Sequence, residues 1–544
     1  MTAVPARLGC ARLAGERMRR SHRTRTKLGR RTFIRLSAGA AATLAAACGD
    51  DGGGAGGGTE SGTAGSTGSG STATGTTRPG GSTDGSGSQG GSTGTTGSST
   101  GGSTGTSGTT GGAGCEPDAY EIAFDPETIP EDGTIFPLAV MAGEMKPTSV
   151  LLSTIVDDPG PVRLKVFRPG DDPGSVWMVY EADVTPNADG YLKVPVENLC
   201  PGTWYRYGFF TGDPDAPSGR SVLGEFRTAL ADDDLEPLTV AMTACTFTGG
   251  PWPALQVMSD EYYDMVLQLG DQLYNDDVFD GPATLQDFRN NWRLQLSHPD
   301  YKKFYSRAGL YVTWDDHEVT DNGKFNRETT DPVAIQKRDN ALDAFFELMP
   351  VEGGGRPNVK LWRSFRWGKT AEIIVLDCRY ERKPSEGIYI SPEQMAFLKD
   401  RLLSSPCHFK VVMNSVPITN MPLPWDVAAG DRWEGFPAQR DELRDFINAN
   451  DIRNVWWVSG DFHVCFVGKV EPNGNDRWSN QYEIACTAGN ENPAGWTLFG
   501  SQFDYGVGTY RGCIITFDPM SDAVHVRFLD PDGGDDYNKA LTQP

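Results

Sequence analysis

The run Trp314-Asp315-Asp316-His317-Glu318 gathers three carboxylates and an imidazole into one short turn. These are hard metal ligands and proton-transfer groups, and their mutual repulsion is costly unless a cation or hydrogen-bond donors offset it. An isolated D-D-H-E is ordinarily a solvated acidic loop, so its chemistry depends on what lies at neighbouring strand ends. Four other segments supply matching groups: Cys245, Gly270-Asp271-Gln272-Leu273-Tyr274, Asn414-Ser415 and Gly460-Asp461-Phe462-His463. Asp271-x-x-Tyr274 lets a carboxylate and a phenolate reach one ion from a single loop turn. Asp461-x-His463 puts two ligands on one side of an extended segment, because side chains alternate with period two. The glycines before Asp271 and Asp461 allow a sharp turn and a close approach. Thiolate, phenolate, carboxylate and imidazole together suit a trivalent or borderline iron. A neighbouring set of carboxylates and Asn suits calcium or another hard cation.

These groups need a frame that brings distant segments together. From Leu238 onward, short apolar runs alternate with helical or loop segments, which predicts an α/β layered domain. The strand candidates are 238–244, 265–269, 310–314, 372–376, 409–413, 455–459, 482–486 and 512–517. Helices are predicted over 334–348 and 392–404, the second opening with Ser391 as N-cap and Pro392 at its first position. In an α/β sheet the carboxyl ends of strands face a common crevice, so the groups that follow these strands converge. Residues 116 to about 230 read instead as all-β, with runs such as 149–156, 163–167 and 204–210 between Pro-, Gly- and Asp-rich turns. An Asp-rich connector, 231–237, follows.

The first 47 residues read as an export leader: Arg30-Arg31-Thr32-Phe33 resembles a twin-arginine signature and precedes the alanine-rich stretch 36–47. Leu44-Ala45-Ala46-Ala47-Cys48 resembles a lipobox, which would make Cys48 an acylated anchor. Residues 48–114 are almost wholly Gly, Ser and Thr, the composition of a flexible tether. The expected location is therefore periplasmic or cell-surface, with the membrane as partner through Cys48 and the protein a monomer. The whole chain carries 49 basic and 72 acidic residues; without the leader's 11 and 1 the net charge is about −33. Such a surface argues against nucleic acid as a bulk partner and would repel phosphate unless local cations intervene. Among the cysteines no C-x-x-C pair occurs. Cys115 with Cys200 and Cys465 with Cys486 are the pairings expected in an oxidising compartment. His298, His408 and His525 read as loop or strand-face residues, and Cys378 as a buried or paired thiol.

Cys245, G-D-Q-L-Y, W-D-D-H-E-V and W-E-G-F-P-A-Q-R leading to G-D-F-H together resemble the PhoD-type alkaline phosphatases of the calcineurin-like metallophosphoesterase superfamily. The resemblance implies an α/β four-layer metallophosphoesterase sandwich over 233–544, preceded by an all-β fibronectin-like sandwich over 115–232. It also implies a phosphomonoesterase or phosphodiesterase with Fe(3+) and one or more Ca(2+). Asp271 would bridge two metals, and Cys245, Tyr274 and His463 would complete the iron site. Asp316 or its neighbour Asp315, Asn414 and Asp461 would bind the second metal. His317 would be catalytic, as the proton donor or transition-state stabiliser beside the phosphate. Arg379 is a candidate substrate contact, with an ion pair to Asp377 as the alternative. A phosphodiesterase or phospholipase D-type activity on the same fold, or an inactive surface lipoprotein, are the competing readings.

Overall fold

The structure is a computed structural model that describes residues 115–158, 160–275, 284–320 and 325–544. The leader, the twin-arginine motif, Cys48 and the Gly/Ser/Thr segment lie outside the described residues.

Two sheets carry the site. A nine-stranded sheet runs in the order Asp535–Leu541, Ala523–Leu529, Gly512–Asp518, Leu238–Thr243, Met265–Gln268, Gly309–Val312, Met141–Lys146, Ser149–Ile155 and Tyr191–Val196. A seven-stranded sheet runs Arg363–Trp367, Ala371–Val375, Phe409–Met413, Val455–Ser459, Tyr482–Ala485, Cys465–Lys469 and Phe503–Val507. The strands from 238, 265 and 309 are mutually parallel, as are those from 371, 409, 455 and 482, so each group delivers its loops to one end.

Alternation along these strands explains why they read as continuous apolar runs: both faces are buried. Val240, Met242, Ile373, Val375, Val411 and Val458 meet in one cluster between the sheets. Their neighbours face outward against helices. Ala241 and Val266 pack with residues of helices Pro253–Met258, Leu285–Ser297, Pro299–Ser306 and Pro332–Leu348. Ile374 and Val412 pack with helices Pro392–Ser404 and Pro437–Ala449. The order is therefore helix, sheet, sheet, helix.

The all-β segment is joined to this frame more closely than the reading of two successive domains implies. A six-stranded sheet contains Tyr120–Ala123, Val162–Pro169, Ser175–Val184, Trp204–Asp213, Ala216–Arg220 and Gly224–Arg227. Its apolar face (Leu164, Val166, Tyr207, Phe209) packs with Val150, Leu152, Val194 and Val196. Those last residues sit on strands of the nine-stranded sheet, where Gly143 pairs in parallel with Leu310. The sheet thus crosses the expected 232/233 boundary. In doing so it pairs what would otherwise be an open edge at Gly309–Val312.

Cys115 and Cys200 form a disulfide. The pairing expected between Cys465 and Cys486 is a correction: both are buried free thiols. Cys465 Sγ is engaged with Thr487, accepting its N–H at 3.5 Å and lying 3.6 Å from its carbonyl oxygen.

Candidate metal centre

The residues that close these strands are held in an uncommon backbone conformation. Cys245, Asp271, Asp461 and His463 have φ of 52°, 53°, 67° and 55°. Left-handed backbone at non-glycine residues costs roughly 1–3 kcal/mol each and persists where surrounding structure enforces it, commonly at functional sites. Gly270 (φ 99°) serves a second need: a Cβ there would lie 2.5 Å from the Asp315 backbone nitrogen. Its absence lets the G-D-Q-L-Y loop lie directly against the W-D-D-H-E turn. A Cβ on Gly460 would lie 2.5 Å from that of Ala244, so this glycine closes the seam between the two sheets.

Seven of the expected groups meet here. Cys245 Sγ is 3.5 Å from Asp271 Oδ2, and the Tyr274 hydroxyl donates to the same oxygen at 3.3 Å. That hydroxyl also lies 2.8 Å from His463 Nε2. Ligand atoms lie within 4.8 Å of one another in three overlapping sets: Cys245, Asp271 and His463; Asp271, Asp316 and His317; and Asp271, Asp315, Asp316 and Asp461. Asp271 belongs to all three. Its Oδ1 is buried without a hydrogen-bond partner among the described residues, and so is Asp461 Oδ2. A buried carboxylate oxygen left unmatched costs more than the roughly 1–3 kcal/mol of a neutral polar group. Cations would supply the missing partner, and this donor set fits them.

The electrostatics agree. Burial, then neighbouring carboxylates, raises the Cys245 thiol well above its ordinary value. Burial likewise raises Asp271 and Asp461 well above the carboxylate range, with Asp315 adding to both. Asp316 is pushed up to about 6, chiefly by burial and against the pull of Arg379. Burial and then His317 lower His463 to about 3, so its imidazole is neutral, the form that binds metal. A bound cation would reverse the carboxylate and thiol shifts.

The W-D-D-H-E turn divides its roles. Glu318 braces two loops, accepting the Gln272 N–H at 2.7 Å and the Asp315 N–H at 2.8 Å. His317 stacks on the Tyr274 ring at 4.0 Å between centroids and 30° between planes. Its Nε2 is 3.9 Å from Asp316 Oδ2, and its side chain is 13% exposed where that of Asp316 is 0%. The imidazole is therefore the member of the pair that opens toward solvent.

Arg379 is fully buried. It forks onto both oxygens of Asp315 and reaches Asp316 at 3.0 Å, Asp461 at 3.1 Å and Asp431 at 2.6 Å. The alternative ion pair with Asp377 is corrected. Asp377 Oδ1 accepts the Trp314 indole N–H at 2.8 Å and the backbone N–H groups of Arg379 and Tyr380, closing a local turn. Asn414 Oδ1 accepts from Trp433 Nε1 at 3.0 Å and Cys378 Sγ at 2.9 Å, and its Nδ2 donates to the Val416 carbonyl. The neighbouring Ser415 hydroxyl reaches the site, 3.0 Å from Asp315 Oδ1. Two contributors went unmarked in the sequence. Asp431 ends a short 3-10 helix and binds both Arg379 and Arg382; Asn490 lies 3.2 Å from His463 Nε2. Asp431 follows neither a strand nor a motif, and Asn490 lies four residues beyond the strand candidate 482–486.

Residues 240–498, which span every one of these groups, match the family model described as PhoD-like phosphatase. This part of the chain is similar to the PhoD-like phosphatases. Alkaline phosphatase D of Bacillus subtilis (strain 168) is 28% identical over 328 residues, covering 51% of this chain and 54% of that protein. The match thus spans about half of that relative's length. The structure of PhoD superposes with a TM-score of 0.63 at 23% identity, over 75% of this chain and 89% of that one. Purple acid phosphatase PPD1 from yellow lupin seeds does so at 0.51 and 13%, over 75% of each chain. Both share the two-sheet fold.

Proposed function

We propose that the chain is an exported, metal-dependent phosphatase that hydrolyses phosphomonoesters. The observation that carries this reading is the convergence of Cys245, Asp271, Tyr274, Asp316, His317, Asp461 and His463 around buried carboxylate oxygens, among them Asp271 Oδ1 and Asp461 Oδ2, that no hydrogen bond matches. Cys245, Asp271, Tyr274 and His463 would hold Fe(3+). Asp271, Asp316 and Asp461 would hold a second cation, Ca(2+), with Asn414 reaching it only if its amide leaves Trp433 and Cys378. Such cations supply Lewis-acid polarisation of the phosphoryl oxygens and a local positive field in an otherwise anionic protein.

The chain's own groups do the rest. His317 donates a proton to the leaving alkoxide oxygen. Tyr274 fixes the plane of that imidazole by stacking. Glu318 holds Asp271 and Asp315 in register through the two N–H groups it accepts. The leader and Gly/Ser/Thr segment support a location outside the cytoplasm, tethered at Cys48.

The test is metal analysis together with turnover on a chromogenic phosphomonoester and the matching diester. Iron and calcium with monoester cleavage are expected. Cleavage of the diester alone would replace this reading with the phosphodiesterase one, and neither metal nor turnover would favour a binding lipoprotein.

A further inference from the structure

Five carboxylates crowd this centre: Asp271, Asp315, Asp316, Asp431 and Asp461. Two buried guanidinium groups, Arg379 and Arg382, oppose them. Arg382 touches the cluster only at Asp431 (2.8 Å); its other contacts are the Cys378 carbonyl and the Tyr389 hydroxyl. Arg379 alone reaches Asp315, Asp316, Asp431 and Asp461, which come from three separate segments. A surface ion pair would use one partner and leave the other donors to water. Here a planar fork of donors fits into a set of carboxylate oxygens with no exposed surface of its own.

The oxygens it takes are as informative as those it leaves. Both Asp315 oxygens and Asp461 Oδ1 accept hydrogen bonds from the guanidinium, and Asp316 Oδ1 lies 3.0 Å from it as an ion pair. Asp271 Oδ1 and Asp461 Oδ2 have no hydrogen-bond partner among the described residues. The Asp315 side of the carboxylate cluster is thus matched by the protein itself, and one oxygen each of Asp271 and Asp461 is left for ions.

We propose that Arg379 is a built-in counter-cation that fills one cation position of the carboxylate cluster, so that removing it creates an additional divalent-cation site. The residue limits how many cations the centre takes, and it holds the turn, the 3-10 helix and the G-D-F-H loop together before any metal arrives. With the guanidinium gone, freed oxygens of Asp315, Asp316 and Asp461 form an oxygen-only set, the donor type that calcium prefers. Arg379 acts here as a positioning residue. The proposal rests on the reading of this pocket as a metal centre.

The experiment uses the full chain, stripped with a chelator and titrated with calcium alone. Bound calcium per chain and the thermal midpoint are the readouts. Arg379→Gln is expected to bind about one more calcium per chain than the wild type, because the vacated oxygens suit a hard cation. It should also lose thermal midpoint without calcium and regain most of it on calcium addition. An unchanged or lower stoichiometry overturns the proposal. If Arg379→Gln does not fold without metal, Arg379→Lys decides. That variant keeps the positive charge and should take up no more calcium than the wild type; a gained ion there overturns the proposal. Wild-type protein that holds neither iron nor calcium in a metal analysis made before stripping would overturn the metal-centre reading itself. Wild type that binds both, beside an Arg379→Gln variant that gains nothing, overturns only the role of Arg379.

Discussion

Replacing Gly270 by Ala tests how tightly the two halves of the centre are pressed together. The new Cβ would lie 2.5 Å from the Asp315 nitrogen, 2.6 Å from its Cβ and 2.8 Å from the Trp314 carbonyl carbon. Two of these are backbone atoms, which cannot swing aside as the end of a side chain would. The backbone at Gly270 also has φ 99°, where Ala is strained. Left-handed backbone costs an L-residue roughly 1–2 kcal/mol, and overpacking a filled interior adds about 1–3. The combined penalty is therefore about 2–5 kcal/mol, shared between lost stability and displacement of the W-D-D-H-E turn from Asp271. Gly353→Ala is the matched control, since Gly353 has φ 66° but nothing within 4 Å of its added Cβ. Urea unfolding midpoints of both variants, with turnover on a chromogenic phosphomonoester, separate strain from overlap. Gly353→Ala should lose only the strain part and keep its turnover. Gly270→Ala should lose more stability and most of its activity. Equal midpoints and equal turnover in the two variants would refute the close-approach argument.

Removal of the imidazole in His317→Ala should leave iron and calcium content unchanged while lowering kcat by ~10²–10⁴, the usual contribution of a positioned proton donor; unchanged turnover would remove His317 from that role. The metal-free protein should lose stability as pH rises from about 4 to 7. Asp316 titrates near 6 and Glu318 near 7 when folded, both above their ordinary values of 3.8 and 4.5, so the folded state binds more protons than the unfolded chain across that window. His463, lowered from 6.5 to about 3, contributes in the opposite sense, with stability that falls as pH drops through that range. The raised carboxylates outnumber it. The thermal gap between metal-loaded and metal-free protein should accordingly widen from pH 5 to pH 7, and a gap that narrows would contradict this account. Breaking the Cys115–Cys200 bridge, which spans 85 residues of sequence, should cost about 2–5 kcal/mol if the usual magnitude for a native disulfide holds. The Cys115→Ser/Cys200→Ser protein, followed by thermal unfolding at fixed metal content, checks this.

Much of this frame is legible in the amino-acid order because its central strands are buried on both faces. Runs such as Ile373-Ile374-Val375 admit no polar alternation, and the turns after them carry the reactive groups. The predicted helices at 334–348 and 392–404 occur at Pro332–Leu348 and Pro392–Ser404, each started by a side-chain N-cap and a proline. Helix Leu285–Ser297 was harder to see. Its apolar residues are sparse among Asn, Arg and Gln, and its capping box of Thr284 and Asp287 is a short signal. In the site, strand-end residues were readable and loop residues were not. Asp431 lies at the end of a 3-10 helix and enters the cluster only through tertiary contact with Arg379 and Arg382. Asn414 shows what the order of residues does not convey. Its position after a strand suggested a ligand, but its amide is satisfied by Trp433 and Cys378, a competition that no linear pattern reveals. Cys465 opens one strand and Cys486 directly follows its neighbour, as a pairing would require, yet the thiol of Cys465 is engaged by the Thr487 backbone.

The strands Met141–Lys146, Ser149–Ile155 and Tyr191–Val196 bind the two segments into a single unit of inheritance. A gene fragment beginning at residue 233 would encode every group of the centre, yet its product would present Gly309–Val312 as a bare parallel edge flanked by uncovered apolar side chains. Such an edge recruits other chains, so that fragment is expected to accumulate as insoluble protein. Insertions, duplications and fusions that respect the nine-stranded sheet can spread; a cut that follows the change in composition along the chain cannot.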